Sequence, residues 1–351
     1  MDESTSTGNP PPQSNAKDGG IFACWAKVMP DNNRHMQSIL VTGGAGFIGS
    51  HLVEKLVSQG HKVTVLDNFS DFYNPDIKRA NISGLLDSIH LIDGSITDRA
   101  LVDQVFAEGK FDAIIHLAAR AGVRPSIDDP EAYIHTNING TFYLLDAARR
   151  HDVKRFVFSS SSSVYGLNEK MPFSEEDRIE QTISPYATTK LAGEQLCSNF
   201  TNIYGLRTTC LRFFTVYGPR QRPDLAISKF TRLIANDQPI ERYGDGSTAR
   251  DYTYVEDIVQ GVIGALGYDG AMFDTFNLGG SETVTLNQLI EAVEIALDKK
   301  ATIIEKPEQP GDVPKTWADV SKAKRLLGYQ PDTPIREGVP KYVEWFLGVP
   351  V

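Results

Sequence analysis

Tyr186 and Lys190 are the residues of this chain whose types and spacing most directly suggest chemistry. They lie in Ser184-Pro185-Tyr186-Ala187-Thr188-Thr189-Lys190. Ser184 followed by Pro185 reads as a helix start, with a hydroxyl at the N-cap and proline at the first helical position. From that start, Tyr186 and Lys190 are one turn apart and share a face. An ammonium beside a phenol favours the ionised phenol. Such a pair can make a base at neutral pH from a group that ordinarily titrates near about 10. The same spacing also fits a surface Tyr and Lys on an amphipathic helix, so the pair alone does not decide.

Two further stretches carry chemical potential. Five consecutive serines, Ser159 to Ser163, follow Phe156-Val157-Phe158. An apolar run of that kind reads as a buried strand and leaves the hydroxyls at its C-terminal mouth, not in a flexible linker. The other stretch is Gly43-Gly44-Ala45-Gly46-Phe47-Ile48-Gly49. It follows the apolar run Ser38 to Thr42 and precedes a helical stripe at Leu52, Val53, Leu56 and Val57 that stops at Gly60. A second strand, Lys62 to Leu66, ends on Asp67. A glycine turn opening a helix brings backbone N–H groups and the helix dipole to a pyrophosphate. Gly43 permits the turn, Gly46 the approach of the phosphates, and Gly49 close helix–strand packing. Strand, glycines, helix, strand and acid in that order are the context of a dinucleotide site. Asp67 is expected to accept from the adenosine ribose, and its charge favours NAD over NADP. A tight turn with no ligand is the plainer alternative.

The elements that must position these residues alternate. Helices are expected over Asp76 to Leu86, Arg99 to Ala107 and from Asp129-Pro130 to Arg150. Strands are expected at Ile89 to Asp93, Asp112 to Leu117 and Arg155 to Ser159. This alternation implies right-handed crossovers and an α/β fold with a doubly wound parallel sheet. Ligands of such sheets sit at the carboxyl ends of the strands. Further on, Arg207 to Phe213 reads as a strand and Val255 to Leu266 as a helix. Thr285 caps a helix to Leu297, Ser321 starts one stopped by Gly328, and Ile335 to Leu347 is amphipathic.

Composition excludes several classes. The chain has 351 residues and 41% hydrophobic content, enough for a large core. Its net charge of −10 argues against wrapping nucleic acid. No apolar run approaches about 18 residues, so no membrane span is expected. Cys24, Cys197 and Cys210 form neither metal spacing nor a disulfide framework, which suits a reducing cytoplasm and a protein without a metal. Residues 1–36 are rich in Ser, Asn, Gly and Pro and are expected to be a disordered extension. Met36 stands directly before the first strand and is a candidate start; intact Met1 in the mass of native protein would refute that.

The glycines run G-x-x-G-x-x-G, and the opening Thr42-Gly43-Gly44-Ala45-Gly46-Phe47-Ile48-Gly49 resembles that of the extended short-chain dehydrogenase/reductase family. The resemblance covers the chain from Ser38 to its end. It implies a mainly NAD-binding Rossmann domain over 37–215 and a smaller lobe over 216–351 that closes on a sugar nucleotide, with some elements returning to the first domain. It places Ser95 and Ile96 beside the adenine, although the family usually has Asp at the first of these. It also places Phe47, Ile48, Asn68, Leu117, Ala118, Ala119 and Phe213 along the cofactor. Asn137 matches the family's structural Asn, a helix-stabilising polar residue being the other reading. The catalytic hydroxyl lies four residues before the Tyr of Val164-Tyr165-Gly166, at Ser161, and the separation to Tyr186 also matches.

Dehydratases of the family carry an Asp-Glu pair after the catalytic residue, and decarboxylating members a Glu before the VYG turn. Here Ser162 and Ser163 stand instead. That favours simple oxidation and re-reduction. Gly122-Val123-Arg124-Pro125-Ser126 and Phe214 to Asp224, with Thr215 and Arg222-Pro223-Asp224, resemble UDP-glucuronate 4-epimerases. The resemblance implies a diphosphate clamp of Arg222 and Arg250, a uridine-ribose contact at Asp312, and a substrate contact at Arg124. Either clamp Arg could instead be a surface ion-pair partner. Ser162, Ser163 and Thr215 are the expected hydroxyl nest for a sugar carboxylate. The implied enzyme is an NAD-dependent UDP-sugar 4-epimerase acting through a 4-keto sugar. It is expected to be a cytoplasmic homodimer pairing through Glu131 to Arg150 and Tyr186 to Ile203. UDP-glucose/galactose epimerisation and a catalytically silent NAD-binding protein remain as alternatives.

Overall fold

The computed structural model describes residues 36–280, 282–308 and 313–348. The expected extension up to residue 35 and Asp312 lie outside these. The chain begins with β1 (Ser38–Thr42), α1 (Phe47–Ser58), β2 (Lys62–Asp67), α2 (Pro75–Ile82), β3 (Ile89–Asp93) and α3 (Arg99–Glu108). Then come β4 (Ala113–His116), α4 (Val123–Asp128), α5 (Pro130–Tyr133), a π turn (Ile134–Gly140) and α6 (Thr141–Arg150). β5 (Arg155–Ser161), α7 (Pro185–Tyr204) and β6 (Arg207–Phe213) follow.

Six of these strands and β11 (Phe273–Leu278) make one seven-stranded sheet in the order β11-β6-β5-β4-β1-β2-β3. Every pairing in it is parallel. The order reverses direction between β1 and β4, and a crevice opens at the carboxyl ends where strands diverge in this way. Alternate residues of each strand feed opposite faces. Ile39 and Val41 of β1 join a core with Leu52, Leu56 and, from α9 (Val255–Leu266), Ile258 and Val262. Leu40, between them, joins a second core with Val105, Leu144, Cys197 and Phe200. Helices therefore cover both faces, as the alternation implies.

The helix expected from Asp76 to Leu86 stops at Ile82 and tightens into a 3₁₀ stretch, Ser83–Ser88. The long helix from Pro130 is interrupted at its centre by the π turn, and a short helix, α4, precedes it. A third core gathers Tyr217, Ile227, Phe230, Leu289, Ile290, Val339 and Tyr342. Its helices are α8 (Ala226–Ala235), α10 (Leu286–Leu297) and α12 (Ile335–Gly348), with the small parallel pair β7 (Thr215–Tyr217) and β10 (Tyr252–Tyr254). Thr285 caps α10 in a full capping box with Gln288.

Candidate active site

A cavity of about 610 Å³ lies at the carboxyl ends of the sheet, over the reversal between β1 and β4. Every residue expected along the cofactor lines it except Asn137, which is buried behind it.

The glycine turn is built by close approach. Gly43 has φ +73°, and a Cβ there would stand 2.7 Å from the amide nitrogen of Ala118. A Cβ on Gly49 would stand 2.1 Å from the carbonyl oxygen of Gly43. Only glycine serves at either position. α1 then starts at Phe47, capped by Gly46 with no side-chain hydrogen bond and no acid in its first turn. Its N-terminal amides and dipole are thus left for an anion. Asp67, at the end of β2, accepts from the Ala45 amide (3.1 Å) and the Phe69 amide (2.9 Å) and still lines the cavity. Burial pushes its carboxyl above the usual range, against those two amides and Lys78. A pyrophosphate cradle that side chains would fill, followed by a carboxylate one strand over, fits a dinucleotide with free ribose hydroxyls.

Lys78 was not legible as part of this site. It sits on the first turns of α2, buried, donating to the Ser70 carbonyl (2.7 Å) and lying 4.7 Å over the Tyr73 ring. Burial pulls its ammonium down, and Asp67 acts the other way. The only local signal was the Asn74-Pro75 helix start, which fixes where α2 begins and not what Lys78 faces.

At the other end, β5 delivers Ser161 and α7 delivers Tyr186 and Lys190 to the same wall. Ser184 caps α7 as expected, accepting from the Ala187 amide at 3.2 Å. The ring of Tyr133, itself fully buried, meets Tyr186 edge-on at 6.2 Å. The electrostatics differ from the expectation. Burial pushes the Tyr186 phenol up; the groups pulling it down are a hydrogen bond from Ser161 and the charge of Arg222, not Lys190. Lys190 is 4% exposed, its Nζ donates to the Ser159 carbonyl at 2.7 Å, and burial lowers it to about 7.

Thr215 and Arg222 line the cavity; Ser162, Ser163, Arg124 and Arg250 do not. Ser162 and Ser163 enter a 3₁₀ turn, Ser162–Tyr165, and Ser163 turns back on Ser161 (Oγ to Oγ 3.2 Å). The expected nest is therefore reduced to Thr215 at the wall. Arg124 is exposed on α4. Arg250 belongs to the two-residue strand β9 (Ala249–Arg250), antiparallel to β12 (Val284–Thr285), and donates to the Ala249 carbonyl. That small sheet holds it away from the wall. Arg222 forks onto Asp224, Nε at 2.9 Å and Nη2 at 2.6 Å, so the ion-pair reading and the wall position hold together.

Behind the wall runs a buried polar network. Glu194, one turn past Lys190 on α7, accepts from Ser160 Oγ (2.5 Å) and takes a fork from Arg212 Nε (2.9 Å) and Nη2 (2.8 Å). Arg212 Nη1 donates to the Tyr165 hydroxyl, which donates to Asn277 Oδ1. No spacing in the sequence joins these five elements.

Among the described residues lining the cavity, the single carboxylate is Asp67. The rest of the polar lining includes hydroxyls, the amines of Lys78 and Lys190, the guanidinium groups of Arg120 and Arg222, and the His135 imidazole. Ser161 and Tyr186 can move one proton between an alcohol and a phenolate; among the described lining residues there is no carboxylate pair for eliminating water.

Residues 40–342 match the family model described as GDP-mannose 4,6 dehydratase. UDP-glucuronate 4-epimerase 1 of Arabidopsis thaliana is 43% identical over 330 residues, 88% of this chain and 76% of that protein. The crystal structure of UDP-glucuronic acid 4-epimerase from Bacillus cereus, in complex with UDP-glucuronic acid and NAD, superposes with a TM-score of 0.83. It is 36% identical, covering 88% of this chain and 99% of that one. UDP-glucose 4-epimerase of Thermotoga maritima, with UDP-glucose, is also 36% identical, with a TM-score of 0.82 over 88% and 98%.

Proposed function

We infer the reaction from the premise that this chain belongs to the family of the GDP-mannose 4,6 dehydratase model, within the extended short-chain dehydrogenase/reductases. The chain is an NAD-dependent UDP-sugar 4-epimerase, and its substrate pair is UDP-glucuronate and UDP-galacturonate. The observation that carries this is the wall itself: Ser161, Tyr186 and Lys190 face one cavity whose only carboxylate, among the described residues, is Asp67 at the end of β2. A dehydratase of this family would need carboxylates where Ser162 and Ser163 stand.

The glycine turn and the α1 N-terminus hold the pyrophosphate of NAD, and Asp67 accepts from the adenosine ribose. Bound there, NAD would supply a reversible hydride acceptor. Tyr186, as the phenolate that the Ser161 hydrogen bond and the Arg222 charge favour, takes the proton of the sugar 4-hydroxyl as the fourth carbon is oxidised, and Ser161 Oγ holds the same oxygen. Lys190 binds the nicotinamide ribose. The resulting 4-keto sugar turns over about its diphosphate, and Tyr186 returns the proton once the opposite face has been reduced. Arg222, already oriented by Asp224, faces the diphosphate. Thr215, at the wall, would offer a uronate carboxylate a hydroxyl and not a point charge. Substrate and product have the same oxidation state, so no NADH accumulates.

The deciding experiment is turnover of UDP-glucuronate against UDP-glucose, read by NMR of the products. Faster conversion of the neutral sugar moves the assignment to UDP-glucose, the substrate named for the Thermotoga maritima neighbour. NAD retained without turnover of any UDP-sugar overturns the enzyme altogether.

The protein is further proposed to act in the cytoplasm as a homodimer. Among the described residues no helix is long and apolar enough to cross a membrane. Ile134, Phe142, Ile203 and Tyr204 lie exposed on the π turn, α6 and α7. A second copy would cover them. Sedimentation as a monomer at micromolar concentration would refute the dimer.

A further inference from the structure

We propose that His116 is a positioning residue for this reaction: its Nε2–H tautomer ties the strand of the glycine turn to the π turn, whose Asn137 holds the helix of Tyr186. The inference rests on the epimerase reading for what it does, but not for whether the tie exists.

His116 is the last residue of β4 and is 1% exposed. Nδ1 lies 2.8 Å from Thr42 Oγ1, and Nε2 lies 2.9 Å from Thr141 Oγ1. The direction of every bond follows from the partners. Thr141 Oγ1 is 2.6 Å from the carbonyl oxygen of Asn137, which can only accept, so the single hydroxyl hydrogen of Thr141 is spent there. Toward His116 it accepts, and Nε2 carries the hydrogen. A neutral ring has one N–H, so Nδ1 accepts from Thr42 Oγ1, which in turn accepts from the Ala118 amide at 3.3 Å. The ring is neutral because burial and the nearby Lys190 charge pull it down to about 3.

The chain of bonds continues past the π turn. Asn137 Oδ1 accepts from the Arg120 amide (2.8 Å); Nδ2 donates to the Arg120 carbonyl (3.0 Å) and to Thr189 Oγ1 (3.0 Å). Thr189 donates to the carbonyl of Tyr186 itself (2.8 Å). One end of the path is Ala118, on the cavity wall; the other is the backbone of Tyr186. Donors and acceptors alternate along it without a conflict. His116 is the member that joins its two halves, because a ring with one donor and one acceptor on opposite edges fits between two hydroxyls. A wider turn of helix at a site of this kind often marks function.

The first test needs no variant. In the NAD-bound full chain, the ring nitrogens of His116 should show the Nε2–H tautomer by NMR and should not titrate between about pH 5 and 9. The opposite tautomer, or a titration in that window, overturns the proposal. The second test uses Thr141, because replacing His116 by an apolar ring would strand two buried hydroxyls. Thr141→Val keeps the shape and removes the hydroxyl; Thr141→Ser keeps the hydroxyl. Misplacing a reacting group by a fraction of an ångström lowers kcat steeply, so Thr141→Val is expected to lose about 10- to 100-fold in kcat with KM within about 2-fold, and Thr141→Ser to retain most activity. If packing alone matters, the order reverses, and that result overturns the proposal. Should the wild-type chain convert no UDP-sugar, the epimerase reading fails by itself. The tie is then judged by hydrogen exchange at the Arg120 amide, expected to quicken in Thr141→Val and not in Thr141→Ser; equal rates overturn it.

Discussion

The two halves of α7 carry opposite solutions to the same problem. Lys190 and Glu194 are both almost fully buried, one turn apart. Glu194 meets Arg212 in a two-bond fork, 4% and 6% exposed, and Arg212 is held well above its usual range: burial pulls it down, and the hydrogen bonds it donates to Glu194 are the foremost cause raising it. Among the described residues Lys190 forms no salt bridge; its Nζ donates to the Ser159 carbonyl, and burial draws it down to about 7. A buried charge that is matched keeps its protonation state and serves as structure. A buried charge left without a counter-ion beside a cavity has a protonation state that a ligand can change. The first turns of α7 are therefore the chemistry, and the turn after them is its anchor.

That contrast is sharpest at Tyr186. Tyr186→Phe should cut turnover by about 10³-fold or more while leaving the melting temperature nearly unchanged. Activity above a tenth of wild type, by product NMR, would erase the distinction. The reverse pattern is expected two turns along, at the partner of Glu194. Arg212→Met leaves Glu194 buried and unmatched and should destabilise by about 3–5 kcal/mol in urea unfolding. Adding Glu194→Leu to it should recover much of the loss, since an apolar pair needs no counter-charge. A loss no larger in the single variant than in the double would show the pair to be incidental.

Lys190 gives a pH-dependent version of the same test. Its folded value lies near 7, below the ordinary 10.5, so between those values the unfolded chain binds a proton that the folded chain does not. Stability must rise with pH across that window and fall toward pH 7. Lys190→Met removes this dependence. Its stability advantage over wild type, measured on NAD-free protein in urea, should be on the order of 4 kcal/mol near pH 7 and vanish above about pH 11. An advantage independent of pH would mean the lysine is solvated. The smallest effect is the cap both halves share: Ser184→Ala should cost about 1 kcal/mol of stability. A kcat loss exceeding that from Thr141→Val would place the control of Tyr186 in the cap instead.

What the sequence disclosed follows the range of the forces involved. The glycine turn was legible because positive φ at Gly43 and the packing of Gly49 on Gly43 are local demands met by one residue type. The helix start at Ser184 was legible for the same reason. Lys78, Glu194 and His116 escaped because their partners lie on other elements: Ser160 is 34 residues from Glu194, and Thr42 is 74 from His116. The same distance dependence explains the substrate end. Ser162, Ser163 and Arg250 were placed by neighbours in sequence, whereas a 3₁₀ turn and a two-stranded pair decide where they face. The sign of the Tyr186 shift was missed because it depends on burial, which a helical spacing does not contain.

The π turn has a consequence for how this chain tolerates change in length. A turn of that kind accommodates one residue more than the α-helix on either side of it. Removing one residue from Ile134–Gly140 would let α5 and α6 fuse into a single regular helix. Everything on one side would then rotate by about 100° relative to the other, taking Asn137 off Arg120 and Thr189 or Leu144 and Leu145 out of their core. A one-residue deletion here is therefore a change of phase, not of length. In aligning this chain with others, a single gap inside that segment marks a different active-site geometry rather than a tolerated loop variation.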